Sequence, residues 1–335
     1  ADADEVWLQD VSEFQPMGLS AEVTFLAGTL QRYHVQAQFE TREEYKTAAH
    51  TLTQRTFTPA HREELTVLMT SLYDVMLANI ATDRGLTPQA ARAAIEGTPY
   101  TAQRAVELKL VDHIGRPEEA EAAALARAEG AEIVDIADYE ASSHSGGRVI
   151  AVVQGEGGIV SGPAEDSVFG GEQMMNSDEV AAALREASED EDVAAIVFRV
   201  SSPGGSVVAS DQILAAARAA QARGKRIVVS MGDVAASGGY YVSAFADEIV
   251  ASPSTITGSI GVVGGKLIIG PAFDHYLSTN TETITLGSPM VEMFTSERPF
   301  NPAERAAFDI GGGGLHDTHS RACRAAFNCG LRNET

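Results

Sequence analysis

Apolar residues recur along this chain at two spacings, and the change between them divides it. Glu5-Val6-Trp7-Leu8 predicts a short strand, an apolar stretch follows from Val23 to Leu30, and Val35 to Phe39 alternates as a strand does. Helical spacing then takes over. Thr58 and Pro59 suit an N-cap and a first helical position, with Leu65, Leu68, Met69, Leu72 and Met76 on one face behind them. Thr87-Pro88 opens a second helix in the same way, and Thr101 a third running toward Leu108. The acidic, alanine-rich stretch from Pro117 to Ala128 is a fourth.

Ser142 to Gly147 is polar and glycine-containing, and it predicts a linker. Beyond it strands and helices alternate. Val149 to Val153 is a strand, a helix runs from Ser177 through Ala187, and Ala195 to Val200 is a buried strand. Val207 to Ala222 is a helix closed by Gly224, and further strands follow at Arg226 to Met231 and Ile249 to Ala251. Gly155-Glu156-Gly157-Gly158 is expected to be a hairpin turn. Short connections between alternating elements predict an α/β fold, its parallel sheet covered by helices.

The chain also repeats itself. Ala3-Asp4-Glu5-Val6 falls on Ala246-Asp247-Glu248-Ile249, a shift of 243 positions, and Gly18 then falls on Gly261. In the same register Phe57-Thr58-Pro59-Ala60 falls on Phe300-Asn301-Pro302-Ala303, and Arg62 on Arg305. A register kept over so many residues predicts a tandem duplication in which the first copy is incomplete. The expected organisation is the rear of copy one over 1–116, a helix and linker over 117–147, copy two over 148–310, and an atypical end over 311–335.

Charge and cysteines narrow the function. Among 335 residues, 24 Lys and Arg stand against 47 Asp and Glu, a net charge of −23, which repels phosphate backbones and argues against nucleic-acid binding. The hydrophobic content of 44% supports real cores. The two cysteines, Cys323 and Cys329, lie close together and cannot staple a fold of this size. With His316 and His319 they have metal-ligand chemistry but no common zinc spacing, so no metal site is expected. No apolar run approaches the ~18 residues of a membrane span. The chain opens without Met, as though entered in mid-domain, and any anchor is expected in a missing N-terminal part.

Two glycine-rich turns carry the candidate chemistry. Ser202-Pro203-Gly204-Gly205-Ser206 and Ala235-Ala236-Ser237-Gly238-Gly239-Tyr240 each lie between a strand and a helix. Consecutive glycines let backbone N–H groups approach a ligand oxygen, and a serine at such a junction sits where a helix dipole favours negative charge. Such turns also use Gly and Ser for conformation alone, and they bind phosphates and cofactors. A serine nucleophile further needs a base. In copy two His275 is a candidate, although a solvated histidine fits Phe273-Asp274-His275-Tyr276 as well; a lysine would have to be desolvated.

The two turns, with Ala251-Ser252-Pro253-Ser254-Thr255-Ile256-Thr257-Gly258-Ser259-Ile260-Gly261, resemble the signal peptide peptidase A (protease IV) family in its long, duplicated bacterial form. Copy one is similar too, at Glu44-Tyr45-Lys46-Thr47-Ala48 and Leu110-Val111-Asp112. The resemblance implies a Clp protease and crotonase-like fold of repeated ββα units, and a serine endopeptidase facing the periplasm at the bacterial inner membrane. It implies Ser237 as nucleophile, Lys46 as general base, and oxyanion donors at the amides of Gly205 and Gly238. Expected substrates are signal-peptide remnants and similar apolar peptides; a homo-oligomer, a tetramer in the family, is expected and no cofactor is. On the residues alone, Lys46 beside Glu43 and Glu44 also fits a surface lysine, and the base role requires both glutamates to point elsewhere. The alternatives are a crotonase-like acyl-CoA enzyme, for which Ser237 would be dispensable, and a non-catalytic assembly module.

Overall fold

Capping chemistry and apolar spacing account for most elements of the computed structural model, which describes residues 3–41, 44–128, 130–134, 147–163 and 173–308. The first elements are short: β1 (Trp7–Leu8), β2 (Glu13–Phe14), α1 (Ala27–Arg32), β3 (Gln36–Thr41) and α2 (His50–Thr53). Then come α3 (Pro59–Asp83), α4 (Pro88–Glu96), β4 (Tyr100–Thr101), α5 (Ala102–Glu107), β5 (His113–Ile114) and α6 (Pro117–Arg127). Three of these helices start at the expected threonines. Thr58, Thr87 and Thr101 accept from the backbone N–H groups of His61, Ala90 and Arg104 at 3.2, 3.1 and 3.3 Å.

The second half holds β6 (Val149–Glu156), β7 (Gly158–Val160), β8 (Met174–Asn176), α7 (Ser177–Glu189), β9 (Val193–Ser202) and α8 (Val207–Ala222). After these come β10 (Arg226–Ala236), α9 (Gly238–Ser243), β11 (Glu248–Val250), β12 (Ile256–Gly258), β13 (Val263–Ile268) and α10 (Gly270–Leu277). A further helix covers 302–308. The predicted linker over 142–147 lies outside the described residues except for Gly147, as does the end beyond 308 with its cysteines and histidines.

Chain contacts divide the molecule into two units interleaved in sequence, one of 1–22 and 65–146, the other of 23–64 and 147–335. These units cut across the sequence-order segments 1–116 and 148–310. In the first, β1 pairs in parallel with β5 and β2 antiparallel with β4. Its core gathers Ala94, Ala105, Leu110 and Val111. Within the unit Arg84 makes a two-pronged ion pair with Asp112 at 2.7 and 2.9 Å.

The second unit is built on a parallel sheet in the order β11-β10-β9-β6, with β12 also paired to β10. Ile196, Phe198 and Val200 alternate along β9 and are fully buried. They share one core with Leu184 of α7 and Ile213 of α8. Strand, short strand or bridge, then helix recurs along this unit, the ββα pattern expected of a Clp protease and crotonase-like α/β fold. The glycine turn at 155–158 is not a hairpin. β6 pairs with β9 while β7 pairs with β8, so the turn is a corner between two sheets. Gly157 is required there, because at φ +83° a Cβ would lie 1.8 Å from the Gln173 carbonyl oxygen.

The sequence repeat recurs in the elements. β2 and β12, α1 and α10, and α3 and the 302–308 helix begin 243 residues apart. Among the described helices α3 is long and apolar enough to cross a membrane by length and composition, with mean hydropathy 1.4 over an 18-residue window. Its apolar run is broken by Thr66, Thr70, Ser71, Asp74 and Asn79, all on the exposed side.

Candidate active site

Ser237 stands where β10 ends and α9 begins. Pairing with β9 shifts register between Met231 and Ala235, and the last residues of β10 also pair with β12. Such an irregularity re-aims the strand end. The Ser237 N–H donates to the Gly258 carbonyl at 2.8 Å, and its backbone adopts φ 50° and ψ −117°. That conformation is sparsely populated for any residue with a Cβ and is held only by surrounding structure.

Lys46 reaches this serine from a part of the chain 191 positions away. Its Nζ donates to Ser237 Oγ at 3.2 Å, to the Ser259 carbonyl oxygen at 2.7 Å and to Ser259 Oγ at 3.0 Å. Lys46 is only 7% exposed. Burial pulls the pKa of its ammonium below the usual lysine value, against an opposing pull from the Glu64 carboxylate. Glu44 is exposed, and Glu43 lies outside the described residues. The carboxylate that acts on the lysine is therefore on α3.

The two glycine turns meet beside this pair. A Cβ on Gly204 would lie 2.6 Å from the Gly238 nitrogen and 2.7 Å from the Ser237 Cβ, so only glycine permits the approach. Gly205 bridges to β7: Ile159 N–H donates to the Gly204 carbonyl at 2.9 Å and Ser206 N–H to the Ile159 carbonyl at 2.8 Å. In a parallel bridge of this kind the intervening residue turns its own N–H away from the partner strand. The Gly238 N–H belongs to the first turn of α9, where helix amides lack intrahelical acceptors. Gly205, Gly238, Ser237 and Lys46 all line one cavity of about 360 Å³, whose apolar walls include Val207 and Val263.

His275 lies elsewhere. It is exposed on α10, its ring 4.1 Å from that of His34, and it does not line the cavity. Among the described residues no cluster of three or more metal-ligating side chains occurs; His316, His319, Cys323 and Cys329 lie outside them. Ser259 is the site residue that sequence reasoning passed over. It belongs to the Ala251–Gly261 segment, where flanking glycines are the signal in the sequence; its φ of 49° turns both its oxygens toward Lys46.

Several known proteins similar to this chain over most of its length are peptidases. Protease 4 of Salmonella typhi is 34% identical over 277 residues, which cover 78% of this chain and 44% of that protein. The chloroplastic serine protease SPPA of Arabidopsis thaliana is 28% identical over 307 residues, 87% of this chain and 44% of that protein. A putative signal peptide peptidase SppA of Enterococcus faecium is 35% identical over 106 residues, 32% of this chain and 30% of that protein. The chain thus spans under half the length of these relatives. The family profile of peptidase family S49 matches residues 1–131 and 219–311, which include both Lys46 and Ser237. The chain belongs to peptidase family S49.

Proposed function

We propose that the chain is the catalytic part of a serine endopeptidase in which Ser237 attacks the peptide carbonyl while Lys46 takes its proton. The observation that supports this most is the 3.2 Å contact between a buried lysine and a serine on a strained strand–helix turn. Neutral Lys46 accepts the Ser237 hydroxyl proton as the Oγ–carbon bond forms, and the tetrahedral oxyanion meets the N–H groups of Gly205 and Gly238. The lysine ammonium then protonates the leaving amine, giving an acyl-enzyme. Water, activated by the same lysine, releases the acid and restores Ser237. Ser259 holds the amine in line, the part a carboxylate plays toward histidine in the familiar triad.

The apolar cavity walls favour extended apolar peptides, signal-peptide remnants among them. By the same resemblance the chain works on the periplasmic side of a bacterial inner membrane as a homo-oligomer. The deciding experiment labels the protein with a fluorophosphonate probe and follows cleavage of an apolar peptide. Labelling and cleavage are expected in the parent and lost in Ser237→Ala. Labelling that persists in Ser237→Ala overturns the assignment, and a crotonase-like acyl-CoA reaction would leave that variant active.

A further inference from the structure

We infer that Glu64, near the start of α3, is a positioning residue for Lys46: it holds the lysine segment through Thr47 and sets the charge balance around it. This rests on the dyad proposed above and extends it to a residue outside the two motifs.

The segment before α2 is laid against the first turns of α3 by alternate side chains. Tyr45 Oη donates to Glu63 Oε2 at 3.2 Å, and Thr47 Oγ1 donates to Glu64 Oε2 at 2.9 Å. Next along, the rings of His50 and His61 lie 5.4 Å apart, His61 itself packed edge-on to Phe57 at 5.0 Å. Lys46 falls between the two tethered residues and extends to Ser237 and Ser259. Of the two tethers, Tyr45–Glu63 is exposed, whereas Thr47–Glu64 is partly buried and immediately adjoins the lysine. A misplacement of about 1 Å at a reacting group can lower a rate by 10²-fold, so a bond fixing the neighbouring residue bears on turnover.

Among the described residues the groups around Lys46 are few. Ser237 and Ser259 offer neutral oxygens, Glu64 a charge from α3, and His50 on α2 faces His61 of α3. Burial favours the neutral amine and Glu64 favours the ammonium, so the carboxylate limits how far burial can go. Removing the charge while keeping the acceptor separates the two effects of this residue.

The test measures kcat and KM of the whole chain on an apolar peptide from pH 5 to 10 in the parent, Glu64→Gln, Glu64→Ala and Thr47→Val. Glu64→Gln is expected to keep the plateau within about twofold and to move the rise of kcat/KM toward lower pH, on the order of one unit. Glu64→Ala and Thr47→Val are expected to lower kcat on the order of tenfold with little change in KM. A Glu64→Gln profile superimposed on the parent's overturns the inference, even if Glu64→Ala fails to fold. A Glu64→Ala enzyme that is folded and has the parent kcat overturns it too. Neither result touches the dyad itself, whose failure would show separately as full activity in Lys46→Ala.

Discussion

At Ser237 and Lys46, backbone strain and burial act on two side chains that are ordinary by composition. The serine is held at φ 50° by β10, β12 and α9 together, so losing its hydroxyl should remove the proposed chemistry without unpacking the turn. Ser237→Ala is expected to lower kcat/KM by ~10³-fold or more while leaving the thermal midpoint within a few degrees, as read by peptide cleavage and calorimetry. Lys46 must be neutral to accept a proton, and its pKa is lowered by burial. If it is the base, activity should be absent while the ammonium persists and rise with pH through a pKa below the ordinary lysine value; a kcat/KM profile without that rise, or full activity in Lys46→Ala, counts against the base. Gly205 behaves differently. A Cβ there would sit 2.2 Å from the Ile159 carbonyl oxygen, so Gly205→Ala should disrupt the β7 bridge and lower stability by several kcal/mol in urea melts. Substitution at Gly205 thus tests packing before it tests the oxyanion.

The elements that carry the site are rigid because their buried faces are continuous. β9 and β10 lie side by side in register from Ala195 and Arg226 to Val200 and Met231, and both feed glycine turns at the same end of the sheet. That shared end is where a parallel α/β sheet gathers its loops, the usual place for a ligand crevice in open sheets. Phe198, fully buried under α8, anchors this pair. Phe198→Ala is expected to cost about 3–5 kcal/mol in denaturant unfolding. The fall in activity should then follow the folded fraction and leave KM unchanged.

At the scale of the whole chain, each unit contains a carboxylate held well below the ordinary range. In the first, Arg84 and the Val6 N–H lower Asp112 to about 2; in the second, Arg298 and the Asn301 N–H lower Glu304 to about 2. Because the folded values lie below the unfolded ones, the stabilisation is complete above about pH 5 and is lost as pH falls toward 2. Urea unfolding from pH 5 to 2 should show falling stability in both units. Glu304→Gln should flatten the dependence arising from the second unit only, and an unchanged slope in that variant would contradict the linkage. The 243-residue repeat does not extend to every element. β3 pairs antiparallel with β13, yet the counterpart of β3 at 279–284 forms no strand, and Ile284 is 94% exposed.

Local physics made much of this legible in the sequence. Threonine caps, proline starts and apolar spacing specify helices through contacts within one turn, so α3, α4 and α5 begin where the residues say. Alternating strands and helices specified the α/β class, and glycines between them marked both turns of the site. What needed tertiary structure was everything set by distant approach. The corner at Gly157 depends on which strand each neighbour pairs with, a choice made by sheet partners and not by the turn. The closeness of Lys46 to Ser237 came into the sequence reading only through resemblance, since no local signal joins residues 191 positions apart. Ser259 and Glu64 had no such help, because a hydroxyl or a carboxylate acquires its role only when folding removes the lysine beside it from water.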